Sequence, residues 1–143
     1  MDKQIYSKTN LYQKAVIFSV LFTLVGFSYN VWRMEASETN NNIRTASFEI
    51  LINLSSLEQL IYAAHYDSDL KEGNPRKGWV TVGLISDLSI ITNDEIRIKT
   101  SELNSVWSAH WKAMQTNQAS VNKIVEAIDA VREEIKKSLN SLE

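Results

Sequence analysis

The hydrophobic pattern divides the chain into one uniformly apolar run and a series of striped ones. Between Lys14 and Arg33 stand eighteen residues, AVIFSVLFTLVGFSYNVW, with no charge among them. As a helix rising 1.5 Å per residue they reach roughly 27 Å, close to the ~30 Å hydrocarbon thickness of a bilayer. The run predicts a transmembrane helix over 15–32, anchored by Lys14 and Arg33, whose long stems carry their charges to the head groups, and by Trp32 at the interface. A cleaved signal peptide fits less well. The run is long, it ends in bulky Tyr29 and Trp32, and a cut after Ala36 would place Met34 where a small residue is needed. Within the span Ala15, Ser19 and Thr23 recur every four residues and put small side chains on one face, a spacing that also arises by chance.

Beyond the span, Ile43, Ile50, Leu54, Leu57, Ile61 and Ala64 step by three, four or seven, with Leu51 and Leu60 widening the stripe. That is helical periodicity, and the reading favours a helix that runs on from the span through the polar segment SETNNN. Glycine and proline outside the span are confined to Gly73, Pro75, Gly78 and Gly83, so KEGNPRKG reads as a hairpin tip near 71–78 between two breaker-free stretches. Asn74, preceding Pro75, is disfavoured in a helix and supports the turn.

After the tip, Trp79, Val80, Leu84, Leu88 and Ile91 form a stripe that Ile98, Leu103, Val106, Trp107, His110 and Met114 extend. Residues 79–99 also contain β-branched and alternating stretches that would suit short strands around 92–95. Helix is preferred on spacing, with Thr92 as N-cap and Glu95 closing a capping box after a kink. The last stripe is the clearest: Val121, Ile124, Ile128, Val131, Ile135 and Leu142 fall on three- and four-residue steps, with Ser138 where an apolar residue is expected. Glu133 and Lys137 are spaced for an ion pair. TNQAS supplies the preceding turn, with Asn117 suited to a left-handed conformation and Ser120 to a cap.

The predicted fold is therefore all-α: one N-terminal transmembrane helix followed by an antiparallel three-helix bundle, or four helices if the middle one breaks at Thr92. The layout is a tail over 1–14, the span over 15–32, and a helical, coiled-coil-like bundle over 33–143. In a three-helix hairpin Trp107 would return level with residues 36–41, where Trp107 and Trp111 could join Trp32 and Tyr29 in an interfacial aromatic belt; bundle core is the equal alternative.

Charge sets the orientation. Lys3, Lys8 and Lys14 precede the span against Asp2 alone, whereas 33–46 carries Arg33 and Arg44 with Glu35 and Glu38. The positive-inside rule then puts the N-terminus in the cytoplasm and the bundle outside it, at the inner membrane and in the periplasm if the host is a Gram-negative bacterium. A net charge of -2 with interspersed signs argues against a nucleic-acid partner, and the absence of cysteine excludes disulfides and thiolate metal sites.

Catalytic chemistry finds little to stand on. His65 and His110 fall at opposite ends of the expected hairpin, Glu133 and Glu134 diverge by about 100° on a helix, and the acidic tip residues lack calcium-loop spacing. No GxSxG turn or phosphate-binding loop occurs, and Asn53-Leu54-Ser55 lies on a helix stripe. No cofactor or metal is expected. The tip is the better interaction surface: Tyr62, His65, Tyr66 and Trp79 bring rings to its two sides, with Arg76 and Lys77 beside them.

In layout the chain resembles the helical sensing domains of bacterial chemoreceptors and the single-span subunits of envelope assemblies, which implies architecture and not activity. The expectation is a non-enzymatic interaction or assembly subunit whose partners are the lipid bilayer and another protein or a second copy. The alternative is a sensory bundle with a ligand pocket between Tyr66 and Trp79.

Overall fold

The computed structural model of the chain describes residues 2–142, with side chains described over 12–142. It is all-α, with helices α1 (Asp2–His65), α2 (Pro75–Ser89), α3 (Asp94–His110) and α4 (Gln118–Ser141), and no strand among the described residues. Two compact units divide it, Met1–Thr39 and Asn40–Glu143. The side chains of Lys3 and Lys8, on which the charge count leans, lie outside the described residues.

In the first unit α1 holds one helix long and apolar enough to cross a membrane. Ile17, Phe18, Leu21, Phe22, Leu24, Val25 and Phe27 are each more than half exposed, as are Tyr29 and Trp32. Ser19 and Thr23 donate their hydroxyls to the carbonyls of Ala15 and Ser19, four residues back, so these polar groups are satisfied within the helix. The same device recurs at Thr39 and Thr45, bonded to Glu35 and Asn41, and the backbone stays helical through SETNNN.

In the second unit four helical segments close an antiparallel bundle. The α1 face of Ile50, Leu54, Leu57, Ile61 and Ala64 is buried against Val82 and Ile85 of α2, Ile96, Leu103 and Trp107 of α3, and Val121, Ile124, Ile128, Val131 and Ile135 of α4. The C-terminal end of α1 meets α4 where His65 bonds Met114 and Gln118. At the other end Arg44 donates to the Leu142 carbonyl and Asn93 to the Ser138 hydroxyl.

Asparagine starts all three of the short helices. Asn74, Asn93 and Asn117 are the N-caps of α2, α3 and α4, each accepting from backbone N–H groups of the first turn. The cap before α3 is thus Asn93 and not Thr92, and Asn117 is extended (φ -122°) and not left-handed. Ser120 is buried and bonds His110 instead of capping. After α1 the chain turns through Ser68, whose φ of 52° is left-handed, and the Asp69 N–H closes back on the Ala63 carbonyl.

Residues 90–93 reverse the chain, so the bundle takes the four-helix form with its break at Thr92 and not a kinked three-helix one, and residues 79–99 hold no strand. The reversal changes the register of α2. Because α2 must pack on both α1 and α3, its buried side is Gly78, Val82, Ile85 and Ser89, and the predicted stripe is left outward: Val80, Leu84 and Ile91 are exposed and Leu88 is half-buried. Ile98 is exposed because it lies across α3 from the buried face of Ile96, Thr100, Leu103 and Trp107. The reversal also moves Trp107. It lies beside Gly78, fully buried, and is bundle core; it presents no ring to a membrane surface.

Two glycines are set by close approach. A Cβ on Gly78 would overlap the Trp107 ring, and one on Gly73 would stand 2.5 Å from the Ala64 backbone, whereas nothing lies within 4 Å of a Cβ on Gly83. Gly78→Ala and Gly73→Ala are therefore expected to cost about 1–3 kcal/mol, and Gly83→Ala to stabilise by about 0.5–1 kcal/mol through helix propensity. Urea unfolding of the full chain in detergent, followed by near-ultraviolet circular dichroism, checks both signs.

Candidate functional site

The tip residues grow from helix ends. Tyr62, His65 and Tyr66 occupy the last turn of α1 and the residue after it, Arg76, Lys77 and Trp79 the first turns of α2, and Trp111 follows α3. The structure distributes them over three faces. Tyr62, His65 and Tyr66 turn toward α4; Trp79 turns toward α3; Lys77 pairs with Glu72 at 3.3 Å and lines a groove of about 370 Å³ between α1 and α2, with Ser56, Gln59 and Thr81. Arg76 is exposed. Tyr66 borders a groove with α4, whereas Trp79 packs on Trp107 and Trp111.

On the α3 side, Trp79 meets Trp107 and Trp111 edge to face, both with ring centroids 6.3 Å away. Trp111 is half-buried and carries the Lys112 ammonium over its ring at 5.6 Å. Trp79 keeps 38% of its surface exposed. The indole N–H of Trp107 is buried without an acceptor, a cost of about 1–3 kcal/mol set against the ring's burial.

On the α4 side Gln118 is the hub. His65 donates from Nδ1 to the Met114 carbonyl at 2.7 Å and sets Nε2 3.0 Å from the Gln118 carboxamide. Gln118 also bonds the Tyr66 hydroxyl and donates to Asn122. His110, expected at the far end, lies at this same end, with Nδ1 3.3 Å from the Ser120 hydroxyl. The separation assumed for the two histidines followed from the missing reversal at 90–93. Each is taken up by a structural hydrogen bond, and no group of three or more metal-ligating side chains forms among the described residues.

Below the tip, Arg132 of α4 joins Glu58 of α1 at 2.5 Å and Asp129 at 3.0 Å, and the Tyr62 hydroxyl donates to Glu58 at 2.8 Å. Nothing local announces this network, whose central pair is separated by 74 residues. Glu133 and Glu134 each pair three residues on, with Lys136 and Lys137, and not in the expected i to i+4 sense. A further groove of about 320 Å³ between α2 and α3 is lined by Ser86, Ser89, Thr100, Ser101, Asn104 and Ser105 among others. Most of these hydroxyls are bonded to their own helix backbones.

With this geometry in hand, comparison with known proteins adds no assignment: no protein family, no curated protein and no solved structure matches the chain.

Burial acts to raise the Glu58 carboxyl, but the hydrogen bonds from Arg132 and Tyr62, with the Arg132 charge, outweigh it and hold the group below its ordinary 4.5. A carboxyl lowered by folding stabilises above its unfolded value and loses that stabilisation as pH falls through its folded one. Glu58→Gln is expected to cost about 1–2 kcal/mol near neutral pH. The deficit closes as pH drops below about 4.5. Urea unfolding at a series of pH values checks it; a deficit independent of pH would assign the loss to packing.

Proposed function

We propose that the chain is a single-pass, membrane-anchored helical module of a cell envelope, with its N-terminus in the cytoplasm and its bundle on the far side of an inner membrane. Its work is non-enzymatic: it holds or assembles a protein partner. One observation carries the reading. The bundle closes its core using α1 from Ala46 onward, while the apolar side chains from Val16 to Trp32 stay exposed, far more apolar surface than water tolerates on one helix. Lipid is the solvent that suits them.

Further support comes from the bundle surface. Phe48 and Ile52 on α1, Val80 and Leu84 on α2, and Ile90, Ile91 and Ile98 around the α2–α3 turn are exposed apolar residues, an amount that suits a protein contact more than a free surface. The tip keeps Tyr66, Leu70 and Trp79 accessible as well. The polar groups gathered at the tip are engaged in holding helix ends together, which favours a scaffold over a catalyst.

Alkaline carbonate extraction is expected to leave the chain in the membrane pellet, and protease added outside spheroplasts to digest the bundle while sparing it in intact inside-out vesicles. A chain recovered in the soluble fraction, or a bundle cut only from the cytoplasmic face, would overturn the reading. Photoreactive residues at Ile52, Val80 and Trp79 should each give a discrete crosslinked species in cells; monomer alone at all three would remove the partner.

A further inference from the structure

At the tip end, α1 and α4 border an open groove of about 200 Å³ lined by Tyr62, Tyr66, Val121, Asn122, Val125 and Glu126. The two tyrosine rings stand 5.7 Å apart and tilted by 53°. Both hydroxyls are tied down, one to Glu58 and the other to Gln118, so the ring faces are oriented before anything binds. The faces remain accessible, Tyr66 being 60% exposed and Tyr62 37%.

The charge around these rings is one-sided. Glu126 has no ion pair among the described residues, and Glu58 and Asp129 share the single Arg132. Arg132 is thus taken up by two carboxylates, and Lys123, three residues before Glu126 on α4, lies about 60° around the helix past it, on the side away from the groove. The Tyr62 hydroxyl is held above its ordinary 10.0, first by its bond to Glu58 and then by burial and the charges of Glu58 and Asp129. A neutral sugar would match the ring faces but leave the carboxylate unanswered; a cation is attracted by both.

We infer that this groove receives an arginine or lysine side chain from a basic segment of the partner protein, its alkyl stem along Val125 and its cationic head between the tyrosine faces and the Glu126 carboxylate. The inference rests on the reading of the chain as an interaction module and names the chemistry of one contact. Oriented rings, an apolar floor and an open carboxylate are the three elements such a side chain needs. Complementary charge supplies the choice of partner more than the affinity.

The test uses the full chain in phosphatidylcholine nanodiscs with carbon-13-labelled tyrosine rings, titrated with a hexa-arginine peptide. Saturable shifts are expected at Tyr62 and Tyr66 and not at Tyr6, Tyr12 or Tyr29. Glu126→Gln and Tyr66→Leu should each weaken binding by about 3- to 5-fold. Glu133→Gln, whose carboxylate pairs with Lys136, should leave binding unchanged. Silent Tyr62 and Tyr66 rings, unaltered binding by Glu126→Gln, equal weakening by Glu133→Gln, or tighter binding of chitotriose than of hexa-arginine would each overturn the inference. Failure here leaves the crosslinks in cells intact, whereas their absence leaves the peptide titration intact, so the two readings fall separately.

Discussion

The bundle depends on the notch that Gly78 leaves for Trp107. A fully buried tryptophan ring removes about 150–250 Å² from water, a contribution of roughly 4–6 kcal/mol. It does so here only because α2 offers no Cβ at the point of contact. That single close approach brings α2 and α3 together, faces Trp79 edge-on to the same ring, and leaves the indole N–H without an acceptor. The unpaired donor is the smaller quantity, so the packing prevails.

Around this contact the helix ends are held by polar links between distant residues. His65 and Gln118 join α1 to α4 at one end, Glu58 and Arg132 join them in the middle, and Arg44 reaches Leu142 at the other. Asn93 caps α3 through its oxygen and donates through its nitrogen to Ser138, which explains why a serine sits in the apolar stripe of α4. The polar residue in the core position is the anchor of a turn.

Sequence periodicity was a good guide wherever one helix face meets the core and a poor one where a helix is wedged between two neighbours. The buried faces of α1 and α4 follow the stripes read from the chain, down to Ser138, because each is long and its polar side is unambiguous. For α2 the most apolar stripe is the wrong one. Its inner face uses Gly78 and Ser89, small residues that hydrophobicity ignores and close helix packing selects, and Leu84 and Val80 are left outside. Carrying the chain through 90–93 as one kinked helix, instead of breaking it there, puts Trp107 and His110 together at the wrong end of the bundle. At the tip the aromatic residues were visible, but their division between α3 and α4, and the role of Gln118, depend on contacts over about fifty residues of sequence that no local pattern encodes.

The neighbour relation between α1 and α4 bears on how the protein is made. During synthesis α1 precedes the other three, and its apolar face, covered in part by α2 and α3, is completed only when α4 supplies Arg132, Ile128 and Ile124. Closure is therefore a late, long-range event, and slow relative to the local helix formation that precedes it. In that interval part of the apolar face of α1 stands open to water, the stage at which such a domain is most prone to aggregate.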